Sequence, residues 1–197
     1  MRRHGWQIVV LAAVAYILTA CGNKNKDKDG PPRWEAFPVT IYTDAQLVPD
    51  NNQAKADFRD AMAFWERTVG KKLFDYQGTW NGHAYNGGDS VPQNALYLQA
   101  PWAYAANIAA QTVVLSQDHR IQGAVIMVNP GTAFCGGDCT GQVYRTSLRK
   151  VFAHELGHFL GLSHSQDTAN IMFPDALPGG SIDGLTVDAA ALLPLVN

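Results

Sequence analysis

The chain has 197 residues, 47% of them hydrophobic and 16% charged, with a formal net charge of −2. That length suits one domain with a buried core, and that composition excludes wholesale disorder. No basic block stands outside the first few residues, which argues against nucleic acid as a partner.

Residues 1–20 have the form of a targeting signal. Arg2, Arg3 and His4 precede the apolar run IVVLAAVAYIL (8–18), which is too short to span a bilayer comfortably and fits a signal peptide better. Leu18-Thr19-Ala20-Cys21 resembles a bacterial lipobox, which implies cleavage before Cys21 and lipid attachment to its thiol; the alternative is a plain secretory signal with an incidental Cys. Either way the mature protein works outside the cytoplasm. Gly22, where Asp would retain a Gram-negative lipoprotein at the inner membrane, points to the outer membrane. Residues 21–33, with GNKNKDKDGPP, have nothing to bury and read as a flexible tether. Loss of Arg2 and Arg3 makes the mature chain more acidic, so acyl groups would have to do the anchoring.

Residues 34–197 read as a single domain. WEAFPVTIYTD (34–44) alternates Val39, Ile41 and Thr43 against Thr40 and Tyr42, as a first strand does. From Gln53 to about Val69, Ala54, Phe58, Ala61, Met62 and Trp65 recur at helical spacing, and Gly70 can end that helix. GTWNGHAYNGGDSVP (78–92) is a Gly/Asn-rich loop, solvated by default, in which Asp89 is a candidate calcium ligand. Three strand-like runs follow, ALYLQA (95–100), QTVVLS (111–116) and IQGAVIMVN (121–129), the last two joined by QDHR as a hairpin or as neighbouring strands. PWAYAANIA (101–109) fits a strand, a short helix or a loop. NPGTAFCGGDCTG then supplies turn residues. With Cys21 lipidated, Cys135 and Cys139 remain; in an oxidising compartment they suit a disulfide, against the rival readings of a redox switch or a zinc-capping thiolate.

From Ser147 or Thr146, both good N-caps, SLRKVFAHELGHFLG reads as a strong helix whose Leu148, Phe152, Leu156 and Phe159 face a sheet. HELGHFLGLSH (154–164) gathers one of the chain's three Glu and three of its six His into eleven residues. His154 and His158 lie one turn apart, so both imidazoles can reach one point. Glu155 sits about 100° round the helix from His154, able to approach that point without being a ligand. Gly161 tolerates positive φ and can swing Leu162-Ser163-His164 back, so that His164 becomes a third ligand. Three neutral imidazoles suit zinc with an open fourth position. A closed structural site would need a fourth protein ligand, and Asp167 is the only close carboxylate.

HELGHFLGLSH resembles the zinc-binding signature of the metzincin metallopeptidases, and Met172 in NIMFP resembles their Met-turn, a methionine floor beneath the metal. Ser165 after the third His, and Pro174 two residues past Met172, are similar to the matrixin branch in particular. GLTVDAAALLPL (184–195) resembles the matrixin C-terminal helix, with Thr186 as N-cap and Asp188 favourable near its positive end. The resemblance covers about residues 34–197. It implies an α+β, zincin-like fold: a twisted mixed β-sheet packed on two long helices, the zinc site on the second, and a small C-terminal subdomain with the Met-turn and a final helix. The sequence departs from the family in lacking a Pro-Arg-Cys-Gly latency motif and propeptide. His83 and His119 are too few for the family's structural zinc triad, and calcium is left open because its acidic loops are not recognisable.

The function implied is zinc-dependent hydrolysis of peptide bonds in proteins, with metal ligands His154, His158 and His164 and Glu155 as general base. By the same resemblance, substrate lies extended along an edge strand within 121–143. The turn from Ile171 to Gly180, with Phe173 and Pro174, walls its pocket, and Gly179-Gly180 loosens that wall. The expected partners are a protein or peptide substrate and a membrane through Cys21, with a monomeric chain. The alternatives are an amidase that cuts cell-wall peptides and a tethered zinc-binding or adhesion module without turnover. Intact Glu155 argues against the last.

Overall fold

The computed structural model describes residues 31–44, 52–80, 94–142, 144–175 and 181–196. The signal segment 1–20, Cys21, the tether up to residue 30, His83, Asp89 and Gly179-Gly180 lie outside the described residues. Strand β1 (Val39–Asp44) buries Val39, Ile41 and Thr43 more fully than their neighbours, as period-two alternation demands. It begins at 39 rather than 34 because Pro38 has no N–H to donate; the first anchoring bond runs from Val39 N–H to the Leu73 carbonyl at 2.8 Å. The residues before it make a clasp instead. Trp34 donates its indole N–H to the Phe159 carbonyl at 2.7 Å, its ring 5.2 Å from that of Phe159. Arg33, read as the end of the tether, exchanges backbone hydrogen bonds with His119 and Ile121.

Helix α1 (Asn52–Val69) buries Ala54, Phe58, Ala61, Met62 and Trp65 and stops at Gly70, whose φ is +72°. Strand β2 (Phe74–Trp80) was not expected. Its FDYQ alternation is a strand signal, masked by Gly78 at φ +85° and the Gly/Asn run that follows. Strands β3 (Ala95–Leu98), β4 (Ala110–Gln117) and β5 (Arg120–Val128) complete a mixed sheet in the order β2-β1-β3-β5-β4. Only β4 runs antiparallel to its neighbour.

A two-residue turn places β4. Asp118 and His119 both adopt left-handed backbone (φ 50° and 59°), the conformation that lets a tight hairpin follow the twist of its strands. The chain therefore folds back along the outside of β5, which pairs with β3 on one side and β4 on the other. The strand in the expected edge range 121–143 is therefore interior where it covers 120–128, and among the described residues the edge of the sheet on that side is β4. Residues 101–109 form an irregular loop in which Trp102 and Tyr104 pack, 5.1 Å apart, toward Tyr97, Val113, Val125 and Met127 on one face of the sheet. The other face, with Ile41, Leu96, Val114 and Ile126, receives the helices.

Helix α2 (Leu148–Phe159) starts at Ser147, whose hydroxyl accepts from Lys150 N–H; Thr146 pairs instead in the small parallel sheet of β6 (Phe134–Cys135) and β7 (Thr146–Ser147). Leu148, Phe152, Leu156 and Phe159 are all buried, and burying each such side chain contributes roughly 1.5–3 kcal/mol. Phe152 meets Phe58 of α1 edge-on at 5.5 Å, and Trp65 donates its indole N–H to the Ala153 carbonyl at 2.7 Å. Gly157 is bare where it must be, since a Cβ there would run into Met172 Sδ and Trp65.

Cys135 and Cys139 are disulfide-bonded. A loop this short gains only about 2 kcal/mol from chain entropy. Asp57 of α1 adds a second hold: wholly buried, it accepts from Gly137 N–H at 3.0 Å, from Gln53 and from Arg149. Removing Arg149 would leave the buried Asp57 carboxylate short of its counter-charge, and stranding a buried charge in this way costs up to roughly 3–5 kcal/mol. Gly136 permits that approach, because a Cβ there would crowd Gln53 and Asp57.

The last helix, α3 (Ala189–Val196), begins later than expected. Asp188 caps it, accepting from Ala190 N–H at 2.9 Å. Thr186, read as the cap, instead bonds Ile171 and Ala169 through its backbone and ties this segment to the 170–172 turn. The helix starts two residues past that bridge, so Asp188 and not Thr186 stands at its N-terminus.

Candidate metal centre

The C-terminus of α2 sets the geometry. Gly161, at φ +95°, donates its N–H to the His158 carbonyl, and Leu162 donates to the Gly157 carbonyl, both at 2.9 Å. This paired closure needs a left-handed residue after the cap. Glycine is required there for a second reason, because a Cβ at 161 would collide with the Pro32 carbonyl oxygen. Past this turn the chain doubles back and carries His164 toward the helix.

Three imidazole nitrogens converge. His158 Nε2 lies 3.1 Å from both His154 Nε2 and His164 Nε2, and the last two are 3.3 Å apart. His154 Nδ1 is 2.8 Å from the Ile171 carbonyl and His158 Nδ1 is 2.8 Å from the Leu162 carbonyl. Carbonyls only accept, so both Nδ1 atoms carry the proton and both Nε2 atoms present lone pairs. Lone pairs aimed at one another at this range repel, unless a cation lies between them. Zinc bound tetrahedrally at about 2.0–2.1 Å needs ligand nitrogens roughly 3.3 Å apart, so the residues present fit that ion. An all-imidazole set does not suit calcium or magnesium, which take oxygen ligands.

Among the described residues these three form the one group of metal-ligating side chains, with no carboxylate or thiolate as a fourth member. Asp167 turns instead to Ala169 N–H at 2.9 Å, and His119 sits at the β4–β5 turn. Burial, foremost, with repulsion from His164 and against the Ile171 bond, brings His154 down to about 4. Burial, then His158, brings His164 down to about 4 as well, and burial lowers His158 despite attraction from Glu155. The cluster therefore stays neutral, and open to metal, at physiological pH.

That depression has a measurable sign. Unfolded histidine titrates near 6.5, so between about 6.5 and 4 the unfolded chain binds more protons than the metal-free folded one. Stability present above about pH 6.5 is lost as pH falls toward 4. Thermal melting of chelator-treated protein should drop between pH 7 and pH 5. A flat melting temperature across that interval would contradict the burial of the cluster.

Glu155 projects from α2 into the space between helix and β4, only 6% exposed. Burial raises its carboxyl above the ordinary range, while attraction to His158 and a hydrogen bond from Thr112 pull it back. Thr112 carried no expected role. Its one sequence signal is a polar side chain at the helix-facing position of an apolar strand, beside Val114. Met172 is buried (3% exposed), with its N–H on Asn170 Oδ1 at 2.8 Å and its carbonyl accepting from Ser165 N–H at 2.9 Å. Phe173 is half-buried and Pro174 exposed.

A mixed sheet carrying a helix with two histidines, and a third returning after a glycine turn, fits a zincin-type fold with a three-histidine group able to hold a metal. The chain matches the matrixin model of the M10 peptidases over residues 53–180, and it belongs to that family. No curated protein matches it.

Proposed function

We propose that the protein is a zinc-dependent endopeptidase that acts on proteins outside the cytoplasm. One observation carries the reading: three imidazole Nε2 atoms close on one point with a buried carboxylate one residue from the first ligand and no fourth protein ligand among the described residues. His154, His158 and His164 would hold zinc, which when bound acidifies a water and polarises the scissile carbonyl. The Ile171 and Leu162 carbonyls hold two of the rings in the ligating tautomer. Glu155 takes a proton from the attacking water and passes it to the leaving amine. Met172 serves as the Met-turn beneath the ligands, and Phe173 and Pro174 wall the substrate pocket.

Substrate placement follows from β4. The Ala109 carbonyl accepts from Asn129 N–H, so the bonded pairs with β5 fall at 111 and 113, and the peptide groups of Ala110, Thr112 and Val114 face the open edge. An extended chain can pair there. Gln111 Nε2 already rests on the Thr112 carbonyl at 3.1 Å and would have to yield it.

The signal segment and Cys21 support a lipid-anchored, extracytoplasmic protein; no helix among the described residues is long and apolar enough to cross a membrane. The test is casein or a quenched peptide library, with metal analysis, using the full chain. Expected are one zinc per chain, cleavage that chelator abolishes and zinc restores, and membrane association that Cys21→Ser removes. Cleavage indifferent to chelator would reject the mechanism, and soluble protein with Cys21 intact would reject the anchor.

A further inference from the structure

Thr112 stands where the open-edge strand meets the carboxylate of α2. Its hydroxyl lies 2.5 Å from Glu155 Oε2 and 3.2 Å from the Glu155 main-chain carbonyl. A hydroxyl has one proton to give. The carbonyl already accepts from the helix one turn on, so the carboxylate is the oxygen that needs it. Both side chains are buried, Thr112 at 1% and Glu155 at 6% exposure, and among the described residues no other side chain is hydrogen-bonded to this carboxylate. Without the bond the buried carboxylate would lose its side-chain hydrogen-bond partner, and such losses are costly.

The hydroxyl is also well fixed. Threonine is stiff about χ1, and Thr112 lies opposite Ile126 in the β4–β5 ladder. Its outward carbonyl is gripped by Gln111 Nε2. The carboxylate thus takes its orientation from the sheet as well as from its own helix, with Oε2 held by the Thr112 hydroxyl.

We propose that Thr112 is a positioning residue that locks the Glu155 carboxylate in the orientation needed for proton transfer at the His154–His158–His164 centre. This role rests on the peptidase reading above. It also gives β4 a double duty, offering peptide groups along its edge while aiming the base from its inner face. A misplacement of about 1 Å in a reacting group can cost on the order of 100-fold in rate, which sets the scale of the effect.

The experiment compares wild type with Thr112→Val, which keeps the shape and removes the hydroxyl, and Thr112→Ser, which keeps the hydroxyl. The Val variant should lose roughly 10–100-fold in kcat with KM within about twofold, and the Ser variant should stay within about threefold of wild type. Zinc content should remain one per chain throughout. A readout free of turnover is the infrared difference spectrum of metal-free protein, wild type minus Glu155→Gln. The Glu155 carboxyl band should move in the Val variant and return in the Ser variant. Should Thr112→Val prevent folding, Thr112→Ala repeats both measurements. An active wild type with unchanged kcat in the Val variant, a Ser variant as impaired as Val, or an unmoved band overturns the role of Thr112 alone. A wild type that cleaves nothing overturns the peptidase reading, and this role with it.

Discussion

Glu155→Gln should reduce kcat/KM on protein substrates by about 100- to 10,000-fold while leaving zinc content at one per chain, because general acid–base transfer is worth that much and the amide cannot accept the proton. The substitution isolates chemistry from architecture. Gln has the same length, its carbonyl can take the Thr112 hydroxyl bond, and Glu155 belongs to no group of converging metal ligands. Steady-state kinetics with metal analysis on the same preparation decides the matter. The surroundings of the carboxyl suit a proton carrier. Burial raises its carboxyl above the ordinary carboxylate range, while attraction to His158 and hydrogen bonding from Thr112 oppose that rise. A Gln variant that cleaves at the wild-type rate with zinc bound would mean another group moves the proton. A variant that loses zinc as well as activity would mean Glu155 is a ligand or a prop for one.

Features set by local spacing were the legible ones. A one-turn interval is enough to bring His154 and His158 together, and the glycine after the last helical turn is enough to return His164. Helix α1 and the β4–β5 hairpin follow from period and turn residues alone. What escaped reading was set by partners distant in sequence. Whether β4 or β5 lies at the edge depends on β3, some thirty residues earlier, claiming the other side of β5. Thr186 looked like a helix cap until Ile171 and Ala169 took its backbone, and Asp57 reveals its hold on the Cys135–Cys139 loop only when residues eighty apart meet. Thr112 is the instructive case. Its polarity at a core-facing position was visible, but only the carboxylate opposite it gives that polarity a purpose.

Gly161→Ala should weaken metal binding by about 10–100-fold and lower stability by roughly 1–3 kcal/mol, although residue 161 ligates nothing. Three consequences of one methyl group combine. The backbone at φ +95° is strained for any residue with a Cβ. That Cβ would collide with the Pro32 carbonyl oxygen, a main-chain atom that cannot rotate away as a side chain can. Relief on either side moves the turn that presents the Leu162 carbonyl to His158 and carries His164 to its place. Gly70→Ala is the matched control. It shares the left-handed backbone, at φ +72°, but has open space around the added methyl and caps α1 rather than the ligand-bearing helix. It should show the backbone cost alone, with wild-type metal affinity. Competition against a chromophoric chelator, read beside thermal melting, separates the two variants. Equal losses of metal affinity in both would show that the collision at Pro32 is irrelevant, and wild-type affinity in Gly161→Ala would show that His164 reaches the metal without this turn.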